Sequence, residues 1–144
     1  MRSLFTLLAV VGVAALAATS AIAASPHFIG TPSATVSGNS LTVTFKAAGL
    51  GNTSETATFN LSGDVSVFSR CYNRGGNKPQ ADNKQETIAV NQTETFDVTN
   101  GQTTGSFTVT PLSTLSCPGN QVVRIESVDF SDLVLTGEGL TFEF

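Results

Sequence analysis

The residues best placed to do chemistry lie between Arg70 and Glu86, where the chain reads Arg-Cys-Tyr-Asn-Arg-Gly-Gly-Asn-Lys-Pro-Gln-Ala-Asp-Asn-Lys-Gln-Glu. Arg70, Arg74, Lys78 and Lys84 outnumber Asp82 and Glu86 there, on a chain that is otherwise acidic. Within this stretch Asn73, Arg74, Gly75, Gly76, Asn77 and Lys78 form a candidate binding loop. The glycine pair can turn backbone N–H groups toward one spot, and the flanking amides and cations add donors. That combination suits an anion or a sugar hydroxyl. A purely structural role is the alternative: the amides cap neighbouring backbone, and Asp82 and Glu86 pair with Lys84 or Arg70.

Catalytic chemistry is thinly provided. There is no Gly-x-Ser-x-Gly elbow, and the only histidine is His27, near the start of the expected mature chain. Asp82 and Glu86 are the only carboxylates in the loop. Asp129 and Asp132 make an Asp-x-x-Asp at an expected turn, but calcium takes about six to eight oxygens and nothing nearby supplies the rest. Glu126, Glu138 and Glu143 fall in or beside strands at solvent-facing positions. The chain has no Trp to stack a sugar. These absences favour a non-catalytic extracellular binding or structural module over a small secreted hydrolase or carbohydrate-active enzyme, with no cofactor and no metal site.

Cys71 and Cys117 are the only cysteines and are expected to form one disulfide. Their compartment is indicated by the N-terminus. Met1-Arg2 precedes an apolar run from Leu4 to Ala18, and Ala21 and Ala23 stand where a signal peptidase reads small residues. The expectation is a signal peptide over 1–23 and a single secreted domain over 24–144. The run is shorter than the roughly 20 residues needed to span a bilayer. The mature chain then carries a net charge of −5. So acidic a chain is unsuited to nucleic acid, which demands Lys and Arg against phosphates. The partner expected is an anionic or carbohydrate surface ligand, with no membrane span after cleavage.

The elements that must position the loop are strands. Leu41, Val43 and Phe45 alternate with Thr42, Thr44 and Lys46, and Ala57, Phe59 and Leu61 with Thr58, Asn60 and Ser62. Phe107 and Val109, then Leu140, Phe142 and Phe144, repeat the pattern. A period of two places one set on one face of a strand. Turn residues recur about every ten positions, as at Ser37-Gly38-Asn39, Ser62-Gly63-Asp64, Asn100-Gly101 and Gly137-Glu138-Gly139. Strands are expected over 33–37, 40–46, 55–61, 65–71, 86–90, 94–98, 104–110, 121–129, 132–136 and 140–144. The fold class is all-β: an antiparallel β-sandwich, Ig-like or jelly-roll-like, with a small β-barrel as the alternative. An outer-membrane barrel is disfavoured by one Tyr, no Trp and short strands. The nine Phe of the mature chain should build the core. Between Gln121 and Leu135 the apolar residues fall on both faces, which suits a doubly covered strand, a bulge or a sheet switch.

The segment Cys71-Tyr-Asn-Arg-Gly-Gly-Asn-Lys-Pro-Gln-Ala-Asp-Asn-Lys84 resembles a C-x-N-x-G-G-N-x-P-x-A-x-N-K stretch of small secreted two-cysteine proteins of actinobacteria and filamentous fungi. Ala48-Gly49-Leu50-Gly51-Asn52, Asn100-Gly101, Gly105-Ser106 and Ser116-Cys117-Pro118-Gly119-Asn120 extend the likeness over most of residues 40–136. Arg74 stands where that group would have Gly or Asn, which alters the loop's charge. The resemblance implies a secreted two-cysteine β protein and carries over no catalytic residue.

Overall fold

The computed structural model describes residues 25–51, 55–76 and 79–144, the side chains of 79–81 excepted. The expected signal peptide therefore lies outside the described residues. No helix among them is long and apolar enough to cross a membrane.

Alternating, β-branched and aromatic segments become eight strands among the described residues: β1 (His27–Phe28), β2 (Ser33–Ser37), β3 (Ser40–Ala48), β4 (Thr56–Tyr72), β5 (Pro79–Asp97), β6 (Thr103–Val109), β7 (Val122–Gly137) and β8 (Leu140–Glu143). They form two antiparallel sheets packed face to face, a β-sandwich rather than a closed barrel. In the short sheet β3 is central. β6 lies along one edge of it, and β2 and β1 follow each other along the opposite edge. The long sheet has the order β5-β4-β7-β8.

Three pairs of expected strands are fused. β4 joins 55–61 to 65–71, β5 joins 86–90 to 94–98, and β7 joins 121–129 to 132–136. Ser62-Gly63-Asp64 is thus a mid-strand position, not a hairpin turn. A Cβ at Gly63 would meet Ser131 O and the Leu133 side chain at 2.9 Å, so the glycine allows close approach of β7. β7 is bulged twice against β4, between Ser62/Asp64 and between Phe68/Ser69. Asp132 supplies the first bulge with φ +51°, a region Asp tolerates, and Glu126 is the extra residue of the second. Each bulge flips the strand's parity by one residue. That places Ile125, Val128, Phe130, Leu133 and Leu135 on a single face, packed on the core.

The core lies between Leu41, Val43, Phe45 and Phe107 of the short sheet and Phe59, Leu61, Val65, Val67 and Leu135 of the long one. Fully burying one such side chain is worth about 1.5–3 kcal/mol. Phe45 and Phe59 meet at 4.4 Å between ring centroids, and each ring lies across a glycine on the neighbouring strand. Phe45 is the register partner of Gly105, and Phe59 that of Gly137. A Cβ at Gly105 would come within 2.3 Å of the Phe45 ring, and one at Gly137 within 2.5 Å of Phe59. Two of the nine phenylalanines depart from the expected core. Phe68 lies on the outer face beneath Arg70, and Phe144 remains 39% exposed.

β4 has 17 residues and β3 only nine, so the long sheet runs on past the short one. A strap without regular structure, residues 110–121, crosses this excess and is fastened at two points. Cys117 is bonded to Cys71, with Cα atoms 5.6 Å apart. Thr114 donates to Glu86 from its backbone N–H at 2.8 Å and from its hydroxyl at 2.6 Å.

Candidate functional site

The β4–β5 hairpin closes at the far end of the long sheet. The supposed loop over 70–86 is much shorter than its composition indicates, because Arg70 pairs with Asn83, Ser69 with Lys84 and Tyr72 with Pro79. Polar strand residues at a sheet edge do not need the apolar alternation by which strands are recognised. Tyr72 and Pro79 are the last pair before the chain reverses. Gly76 N–H donates to Asn73 O at 2.7 Å, and Gly75 and Gly76 take φ of +108° and +74°, which glycine adopts without steric cost.

Of the candidate residues, Asn73, Arg74 and Gly75 are exposed at the tip and Gly76 is half-buried. Asn77 and Lys78 lie outside the described residues. The structure adds members from β7 that no sequence spacing announces. Arg124 is the register partner of Arg70 on the outer face. Its guanidinium lies over the Tyr72 ring, 4.9 Å from the centroid, while Arg70 lies over Phe68 at 5.2 Å. A Cβ at Gly76 would fall 1.9 Å from Arg124 Nη2, so this glycine makes room for the arginine as well as for the turn. The Tyr72 hydroxyl donates to Glu126 Oε1 at 2.6 Å. That bond, with burial and the Glu126 charge, raises the Tyr72 pKa above its ordinary 10.0, while Arg70 and Arg124 oppose the shift. Glu126 reaches Tyr72 from the bulge on β7.

Arg70 and Arg124 thus stand beside the chain's only tyrosine, with Arg74 exposed at the tip. Among the described residues the one ion pair is Lys84–Glu86 at 3.2 Å, so none of the three guanidinium groups has a carboxylate within pairing distance. Like charges directly opposed across strands are destabilising, and a cation over a ring recovers only about 0.5–1 kcal/mol at an exposed site. The arrangement offers planar, multi-donor cations to an anion.

The other carboxylates are used differently. Glu86 sits in β5, and Thr114 and Lys84 occupy its oxygens. Hydroxyl and backbone donation from Thr114, reinforced by Lys84, holds its pKa down to about 2. Such a carboxylate anchors the strap; it is neither a proton donor nor a proton acceptor near neutral pH. Asp129 pairs with Ser66 in register and Asp132 forms the bulge. No group of three or more His, Cys, Asp or Glu that could hold a metal occurs among the described residues. An apolar groove of about 570 Å³ lies where β5 and β6 diverge, with Val65 at its floor and Ile88, Val109 and Leu112 on its walls. No family model, curated protein or solved structure matches the chain.

Proposed function

We propose that this is an exported, non-catalytic binding module whose hairpin tip engages an anionic, hydroxyl-bearing surface ligand such as an acidic polysaccharide. The observation that carries this reading is the opposed pair Arg70 and Arg124, with Arg74 exposed at the hairpin tip and, among the described residues, no carboxylate in ion-pair contact with any of the three. Fold stability gains little from two guanidinium groups in register. An acidic ligand threaded across the tip would neutralise both, and the Asn73 side chain and the Gly75 N–H would supply donors to its hydroxyls. Export is supported by the leader-like N-terminus and by the disulfide, which persists in oxidising compartments.

The test is binding to an array of acidic and neutral glycans across a salt series. Arg74→Ala and Arg124→Ala should each weaken acidic-glycan binding roughly tenfold, the worth of about one charge-assisted hydrogen bond. Affinity should also fall as salt rises. Binding that ignores salt and survives both substitutions refutes the proposal, as does an array with no acidic binder.

A further inference from the structure

The fold leaves a long strand edge open at β5. This strand spans 19 residues and pairs with β4 in unbroken register from Asp97 back to Asn83. Among the described residues no strand lies on its other side, whereas β8, at the opposite edge of the sheet, has only four residues. Natural sheets blunt such edges with a charge, a proline or a bulge. Here Thr87-Ile-Ala-Val-Asn-Gln-Thr93 carries no charge, proline or glycine, and its register with β4 holds no bulge. Ile88 and Val90 line the apolar groove from this stretch, and Leu112 on the groove wall is 77% exposed.

We infer that this edge pairs antiparallel with β5 of a second copy, about a two-fold axis at Ala89. An axis normal to the sheet keeps each side chain on its own face, so an odd-numbered residue can oppose only an odd one, and an even only an even. Charge selects among the registers that remain. With Ala89 on the axis, Lys84 of each copy faces Glu94 of the other, once at each end of the paired stretch. Of the registers centred within Thr87–Thr93, this alone opposes unlike charges. Sliding one copy by two residues sets Glu94 against Asp82 in one direction and against Glu86 in the other. Like charges directly opposed are destabilising and unlike ones favourable. Both groups have capacity left. Lys84 Nζ meets Glu86 and the Thr114 hydroxyl and keeps a third proton, while Glu94 accepts Gln92 Nε2 on Oε1 alone. Between the two ion pairs Ile88 faces Val90 of the second copy, which carries the groove's apolar floor across the interface and covers Leu112.

The purified disulfide-bonded protein should sediment as a dimer that dissociates on dilution. Ala89→Cys sets two thiols opposite each other on the axis, where opposed Cα atoms lie about 4.5–5.5 Å apart, within disulfide reach. Mild oxidation should trap it as a covalent dimer. Thr87→Cys faces Asn91 of the second copy, so its two thiols stand roughly 14 Å apart and should not cross-link. Glu94→Lys, which brings ammonium groups together at both ends, should raise the dissociation constant roughly tenfold or more. Arg124→Ala at the hairpin tip should leave association unchanged, which separates this inference from the tip's ligand. Wild-type protein that stays monomeric at high concentration overturns the inference and leaves the edge to a strand of another protein. Thr87→Cys that cross-links as readily as Ala89→Cys overturns it too, as does a dimer that Glu94→Lys leaves as tight as wild type.

Discussion

Replacing Gly105 with Ala adds one methyl group at the most crowded point of the core. The new Cβ would stand 2.3 Å from two atoms of the Phe45 ring and 3.0 Å from Phe96. Ordinary carbon contacts are about 3.5–4.0 Å, so the Phe45 ring must retreat by more than an ångström. It has nowhere to go: Phe59, Phe96 and Phe107 surround it with centroids at 4.4, 5.4 and 6.2 Å. Overpacking of this kind costs typically 1–3 kcal/mol, and Gly→Ala returns about 0.4–1 kcal/mol by restricting the unfolded chain. For a ring so enclosed the cost falls at the upper end of that range, so the net expectation is about 2 kcal/mol, a fall in Tm of roughly 6–10 °C for a domain of this size. The decisive measurement is a double-mutant cycle by urea unfolding. With Phe45→Leu in place the clash is relieved, so Gly105→Ala should become neutral, giving a coupling of about 2 kcal/mol. Gly137→Ala supplies the contrast. There the Cβ would meet Thr58 O at 2.6 Å as well as the Phe59 ring at 2.5 Å, and Phe59→Leu should rescue it poorly. A Gly105→Ala protein that melts within 2 °C of wild type, or two substitutions that add without coupling, would refute this account of the core.

Three further outcomes follow from the site and the strap. Because the Glu86 carboxyl is held at about 2 against an ordinary 4.5, its contribution to stability is complete above about pH 4.5 and is lost as pH falls toward 2; Glu86→Gln should flatten that part of a stability-against-pH curve. With one tyrosine and no tryptophan, absorbance at ~295 nm follows Tyr72 alone; its midpoint should lie above 10.0 and move down in Glu126→Gln. Since the neutral phenol is favoured in the folded state, this group stabilises below pH 10.0 and ceases to do so as pH rises through the folded midpoint. Breaking the disulfide frees a loop of 46 residues, for which chain entropy predicts a loss of about 4 kcal/mol, seen as a reduced protein that melts some 15 °C lower.

How far the sequence discloses this fold can be judged residue by residue. Period-two alternation locates the cores of β3, β4, β6 and β8, because a half-buried strand leaves no other mark so regular. It does not reveal that β4 continues through Gly63. Yet a signal was present: Ala57, Phe59, Leu61, Val65, Val67 and Cys71, all odd-numbered, are all buried, and a hairpin at 62–64 would rarely preserve that parity. In β7 the parity breaks twice, at the bulges of Glu126 and Asp132, and a simple alternation rule sees only confusion. The segment 70–86 does reverse the chain, but as a loop it is drawn too long, since Asn83 to Glu86 pair through backbone with side chains that are polar throughout. Arg124 and Glu126 could not be assigned to the tip beforehand. Their proximity to Tyr72 depends on the β4–β7 register, which in turn depends on the bulges.

Cys71 and Cys117 also constrain how the molecule is assembled. With no third thiol in the chain, oxidation has a single intramolecular product, and scrambled isomers do not exist. Error must therefore appear between molecules. During synthesis Cys71 is exposed to other chains until the strap arrives, and a covalent dimer is the characteristic by-product of crowded or hurried folding. Dilution, rather than a disulfide-shuffling enzyme, is the remedy that this architecture calls for.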